Sequence, residues 1–194
     1  MKPAKTLAIL APAFLLSGCL SFGAEPPPSL LTLTPTATAP AGTGGSSAAG
    51  TALVLSDFEA PAALDVTRVP VQASDTEIAY LKDAVWVEKP ARLFRRLVGE
   101  TIRSRSNRVV IDGDDPGALA DARLTGTLRQ FGYDARTSSV VVVFDAVRPG
   151  AGNAVTTRRF EAVVPGVLPE VTSVGPALNQ AANDVAGQVA DWVG

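Results

Sequence analysis

From residue 53 to the C-terminus the chain switches between two hydrophobic periods, one of two residues and one of three to four. Leu53-Val54-Leu55-Ser56-Asp57-Phe58 opens this region as a short apolar run, read as a strand. Leu64, Val66 and Val69 follow between Pro61 and Pro70, then Val71-Gln72-Ala73-Ser74. Ile78-Ala79-Tyr80-Leu81 and Ala84-Val85-Trp86-Val87 flank Lys82-Asp83, which predicts a hairpin with a two-residue turn at Lys82-Asp83. The alternation sets Ile78 and Tyr80 on one face of their strand, with Trp86 across from it, so cross-strand aromatic packing is expected.

Pro90 sits where a missing N–H is harmless, at the start of a helix. Beyond it Leu93, Phe94, Leu97, Val98, Thr101 and Ile102 form one apolar stripe. Val109-Val110-Ile111 reads as a buried strand. Ala122 to Tyr133 then alternates, with Leu124, Gly126, Leu128 and Gln130 on one side and Thr125, Thr127, Arg129 and Phe131 on the other. Val140 to Val147, opening with four consecutive valines, is the strongest strand signal; Val155 to Val164 is the next. These three consecutive strands predict an antiparallel meander. Pro176 to Val193 closes the chain as a helix with Leu178, Ala181, Ala182, Val185, Val189, Trp192 and Val193 on one side. Strands, helix, strands, helix argue an α+β fold, a two-layer sandwich of a mixed, mainly antiparallel sheet packed by two amphipathic helices. Trp86, Phe94 and Leu97 are expected in its core.

The first 50 residues have a different character. Met1-Lys2-Pro3-Ala4-Lys5 is positively charged, and Leu7 to Leu16 is apolar apart from the break at Pro12. The run is well short of the ~20 residues that span a bilayer, and reads as a secretory signal. It ends in Leu16-Ser17-Gly18-Cys19, which resembles the bacterial lipobox. That resemblance implies a diacylglycerol on the Cys19 thiol, cleavage before Cys19 and acylation, with palmitate-like chains, of the new N-terminus. Leu20 stands where an Asp would, by resemblance to the bacterial sorting rule, retain a lipoprotein in the inner membrane; the expected place is the periplasmic face of the outer membrane. Ala24 to Gly50 is rich in Pro, Gly, Ser and Thr and cannot build a core. One island in it, Leu30-Leu31-Thr32-Leu33-Thr34-Pro35, alternates like a first strand. If residues 30–34 join the sheet the tether from the lipid spans roughly 30 Å, otherwise ~90 Å. The expected divisions are residues 1–18 as signal peptide, 19–50 as lipidated terminus and tether, and 51–194 as a globular domain.

Charge and composition narrow the chemistry. Without Lys2 and Lys5 the basic residues number 15 against 19 acidic ones, a net charge of −4 for the mature chain. Such a balance gives no electrostatic case for nucleic acid. There is no histidine, so neither a Ser-His-Asp triad, a Cys-His dyad nor an imidazole metal ligand can be built. Cys19 is the sole cysteine, which leaves no disulfide framework and no thiolate metal site. Asp112-Gly113-Asp114-Asp115 is the densest acidic group, but it lacks the alternating ligands and the closing glutamate of an EF-hand loop and reads as a solvated turn. No cofactor is expected. A hydrolase working with paired carboxylates has no nucleophile motif to support it.

A chain that is not an enzyme acts by contact. Tyr and Arg are the residues that most often carry interface energy, and the sequence offers Tyr80 beside Lys82-Asp83 at the expected hairpin tip. It also offers Arg92, Arg95 and Arg96, with Arg103 and Arg105, opposite the apolar stripe of the first helix. The plain reading of those arginines is a solvated helix face, the last two suiting the negative end of the helix dipole.

Leu31-Thr32-Leu33-Thr34-Pro35 after the lipobox resembles the opening of the ABC-type transport auxiliary lipoproteins. So do Arg68-Val69-Pro70, Glu77-Ile78-Ala79-Tyr80 and Trp86-Val87-Glu88-Lys89-Pro90-Ala91-Arg92-Leu93-Phe94. The resemblance runs over most of the mature chain, although Leu30-Leu31 stand where that family usually has a Tyr. It implies a non-enzymatic lipoprotein serving an ABC-type lipid or solvent transport system with an ATPase, a permease and a periplasmic MCE-domain protein. That MCE protein is the expected partner, the membrane is reached through the lipid, and a homo-oligomer is left open. The alternative is a structural or assembly lipoprotein of another envelope complex.

Overall fold

Strand β5 (Ala122–Asp134) is the axis of the molecule, as seen in a computed structural model that describes residues 29–42, 52–106, 108–113, 122–150 and 154–194. On one side β5 pairs antiparallel with β6 (Ser139–Pro149), which pairs antiparallel with β7 (Val155–Pro165), giving the predicted meander. On its other side β5 is shared by two short pieces. β1 (Leu53–Leu55) lies parallel to its first residues and carries β4 (Val110–Asp112) outside it, also parallel. β2 (Arg68–Gln72) lies parallel to its last residues and carries the antiparallel β3 (Ile78–Val85). Glu59 bridges Thr127 between the two. Among the described residues the sheet is therefore mixed, seven-stranded and open rather than closed into a barrel.

Helices α1 (Pro90–Arg105) and α2 (Val171–Val193) pack on each other and cover one face of that sheet. The expected stripe of α1, Leu93, Phe94, Leu97, Val98, Thr101 and Ile102, is buried throughout. The rings of Phe58, Phe94, Phe131 and Phe144 meet beneath it, and Trp86 stands 5.4 Å from Phe131. Two glycines of β5 allow close approaches, Gly126 on this face and Gly132 on the other. A Cβ on Gly126 would lie 2.4 Å from the Phe144 ring, and one on Gly132 would lie 2.4 Å from the Pro70 carbonyl oxygen.

Three expectations are corrected. The alternation of β5 is not continuous: the ladder shifts register between Leu128 and Gln130, leaving Arg129 and Gln130 both exposed. A bulge of one residue exchanges the two faces, so Phe131 and Tyr133 rejoin Leu124 and Leu128 in the core while Gln130 faces out. Lys82-Asp83 is not a hairpin turn. β3 runs through it, and Leu81 to Ala84 bulge out because Tyr80 pairs with Pro70 while Val85 already pairs with Arg68. The bulge turns on Asp83, whose φ of 59° is a left-handed conformation that Asp tolerates. The real β2–β3 turn lies at Ala73–Glu77, closed by the Ala73 N–H donating to the Glu77 carbonyl. The last helix starts at Val171, with Pro176 inside it. Pro176 forgoes a single backbone bond there, near the end where several N–H groups are unpaired in any helix.

Residues 30–34, whose place in or out of the sheet the alternation leaves open, touch the sheet at one point. Leu31 makes one parallel bridge to Trp86, its N–H donating to Val85 O and its carbonyl accepting from Val87 N–H. The chain then leaves the sheet and crosses the helices as an extended strap. Asn179 Oδ1 accepts the Thr34 N–H, Asn183 Oδ1 the Thr36 N–H and Glu100 Oε1 the Ala39 N–H, each at 2.8 Å. Side chains of α1 and α2 thus take the place of a neighbouring strand, and the two-residue alternation survives as half-buried odd and exposed even positions from 31 to 40.

Candidate functional site

Among the described residues, the face of the sheet away from the helices carries no second layer. Pairing places Arg68, Pro70 and Gln72 of β2, Ile78 and Tyr80 of β3, Gly132 and Asp134 of β5 and Val141, Val143 and Asp145 of β6 on it. The segment at Pro61, Ala63 and Leu64, between β1 and β2, walls off part of this face. Under it lies a cleft of about 170 Å³ whose apolar lining includes Pro61, Leu64, Pro70, Ile78 and Val141. Tyr80 fixes the wall: its hydroxyl reaches the Ala63 carbonyl at 3.5 Å, and the Arg68 guanidinium lies 3.7 Å over its ring. Ile78, 52% exposed, forms the lip.

Charges bound the cleft in closed groups. Asp145 accepts from Arg159 Nε at 2.6 Å and Nη2 at 2.8 Å, and from Arg129 Nε at 2.9 Å. The Arg159 hydrogen bonds, then those of Arg129, pull the Asp145 carboxyl down to about 2. At the other end Arg136 joins Asp134 to Asp75, tying the β5–β6 turn to the β2–β3 turn. That bonding holds the Asp134 carboxyl below its usual range.

The sequence-predicted contact residues divide. Tyr80, Lys82 and Asp83 all lie on β3, with Lys82 and Asp83 exposed on its bulge and Tyr80 half-buried. The arginines of α1 form no free cationic face. Arg95 is largely covered and faces Asp57 and Asp112 at 3.4 and 3.5 Å; these are ion-pair separations, and its Nε and Nη1 make no well-aligned hydrogen bond. Arg96 is paired with Glu88, whose carboxyl that hydrogen bond lowers. Arg103 binds Asp112, and Arg105 reaches Asp191 of α2 at 3.3 Å. Arg92 is exposed. Asp112 is thus occupied by arginines, while Asp114 and Asp115 lie outside the described residues, as does Cys19.

The match to known proteins adds the family. The model of the ABC-type transport auxiliary lipoprotein component matches residues 31–190. The chain belongs to that family. This auxiliary lipoprotein has the fold of a solved Xanthomonas campestris protein of the DUF330 family, at a TM-score of 0.67 and 18% identity, over 84% of this chain and 94% of that one. A second solved structure, of an uncharacterized protein, gives a TM-score of 0.63 at 13% identity over 86% of this chain and all of that one. Among curated proteins no sequence match is found. Membership makes the chain an auxiliary transport component associated with a transporter and anchored in the envelope as a lipoprotein. No helix among the described residues is long and apolar enough to cross a membrane.

Sequence reasoning passed over the cleft, because its walls come from four separate segments. It also passed over Asn179 and Asn183. Their signal was present: two amides four residues apart interrupt an Ala- and Val-rich helix, and Asn183 is buried. A buried amide needs partners, and the strap backbone supplies them.

Proposed function

We propose that this auxiliary lipoprotein is a non-enzymatic docking component, held through Cys19 on the periplasmic face of the outer membrane. It receives the periplasmic MCE-type subunit of an ABC-type lipid or solvent transporter. The observation that carries this reading is the cleft on the helix-free face. Its volume of about 170 Å³ compares with the ~150 Å³ that accommodates a benzene ring. It falls below the ~300 Å³ at which pockets for whole small molecules begin. The cleft therefore suits one apolar anchor side chain of a partner protein, with Tyr80 bracing the wall and Lys82 and Asp83 on the neighbouring bulge.

The test is capture of the periplasmic part of the MCE protein by the immobilised full chain in detergent. Ile78→Glu places a charge on the lip, and Lys82→Glu with Asp83→Lys reverses the bulge. Both should weaken capture about tenfold or more, with folding intact because exposed substitutions shift stability by less than ~0.5 kcal/mol. Cys19→Ser should leave capture unchanged and release the protein from the membrane fraction. Full capture by both surface variants would remove the docking site from this face. Co-purification with outer-membrane proteins alone would favour the assembly role.

A further inference from the structure

The chain enters the described part of the molecule at the β3 edge of the sheet. Leu31 and Trp86 form the parallel bridge there, and Trp86, 1% exposed, points under the helices. Side chains alternate along an extended chain, so Leu30, Val85 and Val87 point the other way, onto the helix-free side. Leu30 stands across from Val85, and Val87 is the next outward residue along. Leu30 is 52% and Val87 49% exposed, and Val85 is half-buried. Arg68 pairs with Val85 on the same face. Its guanidinium lies over the Tyr80 ring and makes no ion pair among the described residues. The result is a small apolar patch with a cation at its rim. The bulge at Leu81 to Ala84 separates it from the Ile78 lip of the cleft.

We propose that this patch seats the domain on the lipid bilayer. The proposal rests on the Cys19 lipid of the reading above and adds the orientation of the domain. The occupant follows from where the tether ends. The eleven residue steps from Cys19 to Leu30 reach at most ~40 Å, little more than the ~35 Å length of the 23-residue α2. The strap adds no slack. The N–H groups of Thr34, Thr36 and Ala39 are held by Asn179, Asn183 and Glu100. Leu31 fills the space beside Gly175, where a Cβ would come within 2.8 Å of its Cδ2. The strap therefore fixes the point at which the tether leaves the domain, and Leu30 and Val87 flank that point. Aliphatic side chains enter the boundary of the acyl region while a guanidinium stays with the phosphates. The acyl chains supply the anchoring and the patch supplies the orientation. Val155 and Val163, the exposed valines of β7, lie at the opposite edge of the same face, four strand spacings or ~19 Å away. The seat and the cleft are separate, so bilayer and partner protein are engaged together.

Cys19 is the sole cysteine, and acylation blocks its thiol, so one introduced cysteine takes a single label. Val87→Cys reports on the patch, and Val163→Cys is the control, because the two valines are exposed to nearly the same degree. The mature full chain, with acylation of Cys19 checked by mass, is placed on vesicles of phosphatidylethanolamine and phosphatidylglycerol and carries an environment-sensitive fluorophore. The label on Val87→Cys should shift its emission to the blue and be quenched by lipids bearing a nitroxide on the acyl chain. The label on Val163→Cys should do neither. Adding Leu30→Glu should leave the circular dichroism spectrum and flotation with the vesicles unchanged, yet return the Val87→Cys label to the red and remove most of its quenching. The reciprocal pair, a label on Leu30→Cys with Val87→Glu, should behave alike. A blue-shifted label that nitroxide lipids do not quench would mean that protein covers the patch, and would overturn the proposal. So would equal quenching at Val87→Cys and Val163→Cys, or quenching that survives the glutamates. An acylated chain that floats with the vesicles while its Val87→Cys label stays in water overturns the seat alone. A chain without acyl mass at Cys19 overturns the lipid reading and the seat with it.

Discussion

On the helix-covered face of the sheet, Phe94 meets Phe144 at 5.2 Å and Phe131 at 6.4 Å, and all three rings are essentially inaccessible. On the opposite face the nearest counterpart is an aspartate held by two arginines that are each more than half exposed. The same strands supply both. β6 sends Val142, Phe144 and Ala146 inward and Val143 and Asp145 outward. What differs is the medium on each side. Apolar area removed from water contributes about 25 cal/mol per Å², whereas exposed ion pairs contribute ~0–1 kcal/mol each. Stability is therefore concentrated under the helices. The open face can vary its side chains at little cost to the fold, and that freedom suits a surface for partners.

The sharpest way to break this comparison is Phe94→Ala. The ring is fully buried against three other phenylalanines. Removing it should destabilise by ~3–5 kcal/mol, measured by urea unfolding. A loss below about 1 kcal/mol would mean that the covered face is not where the energy lies.

A smaller effect is expected where the strap crosses the helices. The Asn183 amide makes four hydrogen bonds. It accepts from the Thr36 N–H and hydroxyl, and it donates to the carbonyls of Thr34 and Asn179. Asn183→Ala should destabilise by ~1–3 kcal/mol, the range for stranding a buried polar partner. It should also speed proteolysis within residues 34–40 specifically. Unchanged cleavage kinetics would show that the strap is held by its apolar contacts alone.

The covered face was far more legible in the sequence than the open one. The stripe on α1 and the β-branched run of β6 announce themselves because burial imposes a period on residue type. The bulge at Arg129-Gln130 does not, since one extra residue leaves the composition untouched while exchanging every side chain after it, so Phe131 is assigned to the wrong face. Lys82-Asp83 misleads for the opposite reason. It has the chemistry of a tight turn, but the strand continues through it because Val85 still finds Arg68. The strap reads as extended, but its alternation does not say what covers it: alternation reports an extended chain with one side covered, and a pair of helices can cover it as well as a strand. The cleft is a property of assembly. It exists only after segments far apart in sequence have met.

The smallest predicted effect is on the open face, and its sign is fixed by the direction of the shift. The folded-state value of the Asp145 carboxyl is depressed to about 2, first by the Arg159 hydrogen bonds and then by Arg129, against ~3.9 for an unperturbed aspartate. A group depressed on folding contributes its stability fully above the unfolded value, and loses it as pH falls through the folded one. Asp145 therefore adds nothing below about pH 2 and its full share above about pH 4. Because both arginines are mostly exposed, water and salt limit that share to ~0.5–1 kcal/mol. Asp134 and Glu88 are also depressed, so the wild-type profile alone cannot isolate Asp145. The comparison that does so is urea unfolding of wild type and Asp145→Asn from pH 2 to pH 6, at 20 mM and 1 M salt. The variant should match wild type near pH 2 and fall behind it as pH rises to 4. The gap should narrow in 1 M salt, where the screening length shrinks to ~3 Å. A gap that is constant with pH would assign the loss to packing rather than charge. A gap approaching that of Phe94→Ala would mean that the open face stabilises the fold as strongly as the covered one.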